Sequence, residues 1–64
     1  MKISINGQIT DTETNLLADV IAEYGATPPY ALAVNGEFVA KSDYQTKQLV
    51  EHDQIDIVAP VFGG

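Results

Sequence analysis

The sequence of 64 residues contains no cysteine, no arginine and only one histidine. Without cysteine, the chain can form neither a disulfide framework nor a cysteine-based zinc site. Its three basic residues are all lysines and face nine acids, which gives a formal net charge of -6. Because binding to phosphates depends on basic side chains, we predict no nucleic-acid partner. The negative charge favours either a basic protein partner or solubility alone.

Long hydrophobic runs and targeting segments are also absent. No apolar run approaches the length of a membrane span, and no signal-peptide pattern follows Met1. We therefore expect a cytoplasmic protein that has no membrane partner. The carboxylates lack the spacing of a calcium-binding loop, and the single histidine, His52, lies in a predicted turn between two acids. No catalytic residue, metal ligand or bound cofactor is predicted, so the chain is not expected to be an enzyme.

Asn-Gly pairs at positions 6–7 and 35–36 indicate two β-hairpins. A type I′ turn needs positive φ at both central positions, and Asn-Gly is the pair that accepts this most readily. Apolar and polar residues alternate in the first strand, and we place Ile9 of the returning strand on the inner face of the sheet. The predicted strands are Lys2–Asn6, Gln8–Thr10, Tyr30–Val34, Glu37–Val39 and Gln54–Ala59.

One amphipathic helix is predicted between the hairpins, because apolar residues recur at i, i+3, i+4 and i+7. Gly25 follows where a C-cap glycine is expected, and Thr14 or Asn15 is the expected N-cap. We expect one further helical turn, capped by Ser42 or Asp43, in the polar segment before the last strand. The apolar stripe of the helix consists of Leu17, Val20, Ile21 and Tyr24.

The order of elements, β-β-α-β-β-β, predicts an α+β domain with the helix packed on one face of a mixed sheet. If the apolar last strand is central and lies beside the first, the arrangement is the β-grasp, or ubiquitin-like, fold. We expect residues 1–62 to form this domain and residues 63–64 to be a flexible Gly-Gly end. The predicted core is Ile3, Ile5, Ile9, Leu17, Val20, Ile21, Tyr24, Leu32, Val34, Leu49, Ile55 and Ile57.

The alternation of the last strand predicts an apolar patch on the face of the sheet away from the helix. If Ile55 and Ile57 face the helix, Val58 faces the other way. An apolar patch on a small acidic protein indicates a contact surface, although scattered exposed apolar residues are also normal. The other expected members of the patch are Ala31, Ala33, Phe38 and Phe62.

The chain ends in Gly63-Gly64, a segment without side chains that carries a free carboxylate. Glycine has no Cβ and tolerates a wide range of φ and ψ, so such a tail can enter a narrow cleft on another protein. The functional interpretation is that the Gly64 carboxylate is the reacting group. The alternative is an ordinary frayed terminus.

Over its full length the sequence resembles the bacterial sulfur carrier proteins of thiazole (thiamin) biosynthesis, the ThiS family. Each matching piece is weak by itself, but their order in so short a chain is specific. The pieces are the opening Met-Lys-Ile-x-Ile-Asn-Gly, the helix Leu17–Gly25, the segments Ala33–Val39 and Ser42–Tyr44, and the ending Asp53–Gly64.

The sequence departs from the family pattern at a few positions. His52 stands where the family commonly has glycine, and histidine tolerates a left-handed φ less well than glycine does. Ala40-Lys41 replaces the usual Pro-Arg, and lysine cannot reproduce the bidentate fork of arginine. Phe62 is bulkier than the residue often found before the two glycines. None of these departures changes Gly63 or Gly64.

The resemblance implies a mechanism in which the chain carries sulfur and performs no catalysis. A ThiF-like adenylating enzyme, which uses ATP and Mg²⁺, would activate the Gly64 carboxylate as an acyl adenylate. Sulfur supplied through a cysteine desulfurase would then replace AMP and give a thiocarboxylate. A ThiG-like thiazole synthase would receive that sulfur. Val58, Phe62, Phe38 and Ala33 are the expected docking residues for these partners.

Three other functions remain open from the sequence. Carriers for molybdopterin synthesis or tRNA thiolation share the tail and its activation chemistry, although the short length and the Val-Ala-Pro-Val ending favour the thiazole carrier. A β-grasp interaction module with an inert tail is a second alternative. Covalent protein tagging, which would leave Gly64 in an isopeptide bond, is a third.

Overall fold

The computed structural model describes residues 1–58. Within that range the chain forms five strands, one α-helix and one short 3-10 helix, close to the predicted order. The end of the predicted last strand at Ala59 and the proposed boundary at residues 62–63 lie outside the described residues. The elements are β1 (Lys2–Ile5), β2 (Gln8–Asp11), α1 (Leu17–Tyr24), β3 (Ala31–Val34), β4 (Glu37–Phe38), the 3-10 helix Lys41–Asp43, and β5 (Gln54–Val58).

The five strands form one mixed sheet in the order β2-β1-β5-β3-β4. The last strand, β5, is central: it runs parallel to β1 and antiparallel to β3. Because α1 connects the two hairpins and packs on one side of the sheet, the arrangement is the predicted β-grasp fold. The side of the sheet that faces α1 is called the inner face below, and the opposite side the outer face.

Both Asn-Gly pairs adopt the left-handed backbone that a two-residue hairpin requires. Asn6 has a φ of 50° and Asn35 a φ of 53°, and both following glycines are near 85°. His52, in the turn before β5, also lies in the left-handed region, with a φ of 72°. The resemblance implies glycine at this position, and a left-handed backbone is one that glycine adopts freely. Histidine is held there under strain.

Helix α1 ends as predicted, at a left-handed Gly25 whose N–H bonds back to the last turn. The expected N-caps are wrong: the N-cap is Leu16, without a side-chain capping bond. The N–H of Leu17 instead donates to the carbonyl of Lys47 at 3.0 Å. The backbone of a neighbouring segment thus accepts one of the free N–H groups of the first turn. The 3-10 helix similarly starts from Ala40, not from Ser42 or Asp43.

The core forms between α1 and the inner face, and most of its predicted members are buried there. Two are wrong: Ile9 is 79% exposed and Tyr24 is 47% exposed. Ile57 is half-buried and packs against the cluster. After α1 ends, Ala26 and Tyr30 pack against the core in place of Tyr24. The buried cluster is Ile3, Ile5, Leu17, Val20, Ile21, Leu32, Val34, Leu49 and Ile55.

Candidate docking face and the end of the last strand

The strand register brings three of the predicted docking residues together on the outer face. Residues directly opposite each other on paired strands share a face. Val58 lies opposite Ala31, and Phe38 lies opposite Ala33. All four therefore belong to the outer face, on the half of the sheet that β5, β3 and β4 form. The fourth predicted docking residue, Phe62, lies outside the described residues. We call Phe38, Val58 and Ala31 the apolar patch.

Two large side chains of the apolar patch are open to a partner. Phe38 is 76% exposed and Val58 is 51% exposed, whereas Ala31 is half-buried. Phe38 lies on β4, a two-residue strand at the edge of the sheet. An exposed aromatic ring and an exposed valine lie on the same face, with β3 between their strands. Exposed apolar side chains of this kind are what protein interfaces cover.

Ala33 lies on the same face but is only 7% exposed. Its register partners are Phe38 on one side and Asp56 on the other. A side chain of a single methyl group between two longer ones offers little surface to a partner.

Asp56 is an acidic member of the outer face that sequence reasoning missed. It lies opposite Ala33 and two residues before Val58, so it shares their face, and it is exposed. The sequence could have predicted this position, because residues two apart in a strand, such as Asp56 and Val58, lie on the same face. The apolar patch therefore has a carboxylate at its border.

Ile9 is also on the outer face, at the far side of the sheet from the apolar patch. The two-residue turn pairs Ile5 with Gln8, which places Ile9 opposite Ser4. Because Ile3 and Ile5 point inward, Ser4 and therefore Ile9 point outward. Strand β1 lies between β2, which carries Ile9, and β5, which carries Val58, and Ile9 is level with the start of β5, not with its end. Ile9 therefore forms a second, isolated apolar position.

The start of β5 is held by a polar cluster that includes the buried carboxylate of Asp53. The Nδ2 of Asn35 donates to Asp53 Oδ1 at 2.9 Å, and the N–H of Val50 donates to Asp53 Oδ2 at 2.8 Å. Asn35 Oδ1 accepts the N–H of Gln54 at 2.9 Å. These bonds join the β3–β4 turn to the turn that precedes β5.

The other end of β5 is held by the first hairpin turn. Asn6 Oδ1 accepts the N–H of Ile57 at 2.8 Å. Val58, the last described residue, follows immediately, and the chain then continues to the glycine pair 63–64. The predicted sulfur attachment residue, Gly64, and its neighbour Gly63 lie outside the described residues.

Residues 1–58 contain no group of three or more acids or histidines placed to hold a metal ion. In this same range no helix is long and apolar enough to cross a membrane. His52 is exposed in its turn.

The strand order and the helix on one face of the sheet define a small β-grasp domain. A protein-family model, that of the ThiS family, matches residues 2–64. The chain belongs to the ThiS family.

Comparison with solved structures agrees with this fold. The chain is similar to the crystal structure of the thiamine biosynthesis protein ThiS from Geobacter metallireducens, with a TM-score of 0.82 and 14% sequence identity. The match covers 100% of both chains. A search of curated protein sequences gives no significant match. At this low identity the structural likeness supports the fold, and the family assignment comes from the sequence match.

Proposed function

We propose that this chain is a sulfur carrier protein of thiamin biosynthesis that carries sulfur as a thiocarboxylate at Gly64. The observation that supports this most strongly is the ThiS-family match, which runs through the final glycine pair. The similar protein from Geobacter metallireducens is described as a thiamine biosynthesis protein. The chain would be a substrate for its partners and would itself catalyse no step.

The proposed chemistry needs an activated tail, because a free carboxylate is a poor electrophile. A ThiF-like partner would catalyse attack of a Gly64 carboxylate oxygen on the α-phosphate of ATP, with Mg²⁺ bound, and pyrophosphate would leave. A persulfide sulfur supplied through a cysteine desulfurase would then attack the acyl carbon and release AMP. Reduction of the remaining sulfur–sulfur bond by a second thiol would leave the thiocarboxylate. A ThiG-like thiazole synthase would accept that sulfur.

In this proposal the apolar patch is the docking surface for the adenylating enzyme. Phe38 and Val58 are exposed, and Val58 is six residues before Gly64. Six extended residues span at most about 20 Å, so a partner bound at the patch must hold its nucleotide site within that distance. Asp56 at the border of the patch favours a cation on the partner.

The intact mass of the chain after incubation with its adenylating enzyme, ATP, Mg²⁺ and a sulfur donor tests the proposal. We expect the increase that corresponds to replacement of one oxygen by one sulfur, confined to the C-terminal peptide. Deletion of Gly64, or addition of one residue after it, should abolish the increase while the domain stays folded. An unchanged mass of the parent chain would support an inert interaction module, and an increase equal to another protein would support covalent tagging.

Val58→Asp tests the docking surface, with Ile9→Asp as its matched control. Both changes place a carboxylate on the outer face, but only the first alters the apolar patch. We expect Val58→Asp to raise the Kd for the adenylating enzyme by about tenfold or more, and Ile9→Asp to change it little. Equal affinities of the two variants would reject the patch as the contact.

A further inference from the structure

The N–H of Ile57 is bonded in an unusual way for a residue in the central strand of a sheet. Strand β1 ends at Ile5, but β5 continues through Ile57 and Val58. The N–H groups of alternate residues point to the same neighbouring strand. Ile57 therefore directs its N–H to the side where β1 has already ended.

The hydrogen bonds between the parallel strands β1 and β5 show which backbone carbonyl would accept the Ile57 N–H if β1 continued. Ser4 N–H donates to the carbonyl of Asp53 at 3.0 Å, and Asn6 N–H donates to that of Ile55 at 2.9 Å. In an uninterrupted parallel pair, the following bond would run from the N–H of Ile57 to the backbone carbonyl of Asn6. Because Asn6 turns into the left-handed region, the chain leaves the ladder there.

The side chain of Asn6 takes the place of that missing backbone acceptor. Its Oδ1 accepts the Ile57 N–H at 2.8 Å, which extends the ladder by one bond after the strand has turned away. On its other side, β5 is paired with β3 as far as Val58. Strand β5 is therefore held from both sides up to the residue before Val58.

We propose that Asn6 is a positioning residue for the C-terminal tail: its side chain fixes the end of β5 and so the point and direction from which the tail leaves the domain. This inference rests on the proposed function, since it concerns the delivery of the Gly64 carboxylate to the adenylating enzyme. A fixed end of β5 reduces the number of tail directions that must be searched after docking. Loss of the bond lowers the rate within the complex and leaves docking unchanged.

Three variants separate this role from a general structural one. Asn6→Gly removes the acceptor but keeps a residue that accepts positive φ. Asn6→Asp keeps both an acceptor oxygen and tolerance of the left-handed region. Asn35→Gly is the matched control, because Asn35 begins an equivalent Asn-Gly turn but bonds at the start of β5.

The experiment measures amide hydrogen exchange of Ile57 by NMR and the steady-state formation of thiocarboxylate by the adenylating enzyme. We expect Asn6→Gly to speed Ile57 exchange and to lower kcat, each by roughly threefold to tenfold, with KM unchanged. Asn6→Asp should retain parent values. Asn35→Gly, checked by circular dichroism to be folded, should retain the parent kcat.

The outcomes distinguish failure of this inference from failure of the proposed function. If the parent chain is loaded and Asn6→Gly is loaded with the same kcat, Asn6 does not position the tail. The same conclusion follows if kcat falls as much in Asn6→Asp as in Asn6→Gly, or if Asn6→Gly changes only KM. If the parent chain is never loaded, the proposed function fails, and the role of Asn6 in loading fails with it.

Discussion

The two Asn-Gly turns have the same backbone but their asparagine side chains hold different ends of one strand. Asn6 and Asn35 have φ values of 50° and 53°. Each side chain accepts an N–H of β5, that of Ile57 near the end for Asn6 and that of Gln54 at the start for Asn35. Asn35 in addition donates to the buried carboxylate of Asp53.

The two turns should therefore differ in how much they contribute to the free energy of unfolding of the domain. The bond of Asn6 is exposed to solvent, so water can replace it at small cost. Near the other turn, the Nδ2 of Asn35 and the N–H of Val50 both donate to Asp53, which is 7% exposed. A buried carboxylate costs free energy unless its oxygens accept hydrogen bonds. The start of β5 should therefore govern the stability of the domain, and its end should govern only local order.

Breaking the buried anchor has the largest expected effect. Asp53→Ala leaves the N–H of Val50 and the Nδ2 of Asn35 without their acceptor. We expect a loss of about 3 kcal/mol in the free energy of unfolding, measured by urea denaturation. Because a domain of this size has little stability to lose, Asp53→Asn, which keeps one acceptor oxygen, should give a measurable intermediate loss.

The control for that experiment is Glu23→Ala, which removes one negative charge from the exposed side of α1. It should change the free energy of unfolding by less than about 0.5 kcal/mol. If Asp53→Ala is as mild as Glu23→Ala, the Asn35 turn is no stronger an anchor than the Asn6 turn. The contrast between the two turns would then be wrong.

Sequence reasoning predicted both Asn-Gly turns, the helix with its C-cap and the central position of β5, because each has a local cause in residue type or spacing. It did not predict the partners of the asparagine side chains. Asn6 and Ile57 are 51 positions apart, and only the tertiary arrangement of β1 beside β5 brings them together. The N-cap of α1 at Leu16 was missed for the same reason, because the carbonyl that accepts the N–H of Leu17 belongs to the distant Lys47.

The position of Ile9 was an error that the sequence could have prevented. The two-residue turn that was correctly predicted also fixes the register, with Ile5 opposite Gln8. Counting from that pair puts Ile9 opposite Ser4 and on the outer face. On the candidate docking face, the alternation of side chains along β5 correctly predicted that Val58 faces outward. The same alternation also implies that Asp56 faces outward. The small exposure of Ala33 depended on its neighbours in space.

The turn before β5 also contains a left-handed residue, but this residue is His52 and not asparagine as in the two Asn-Gly turns. His52 has a φ of 72° and is exposed, and a residue with a Cβ is disfavoured in that region. We expect His52→Gly to raise the free energy of unfolding by about 0.5 to 1 kcal/mol, measured by urea denaturation. His52→Ala serves as the control and should not stabilise. A destabilising effect of glycine would show that the imidazole makes a compensating contact.

The smallest expected effect is the energetic coupling between the two Asn-Gly turns. The amides that they hold, those of Gln54 and Ile57, are three residues apart, or about 10 Å along an extended strand. The side chains of Asn6 and Asn35 share no bonding partner among the described residues. The losses from Asn6→Gly and Asn35→Gly should therefore add in the double variant to within about 0.5 kcal/mol. A larger coupling would mean that β5 transmits order from its start to its end, so that the buried anchor at Asp53 also sets the direction of the tail.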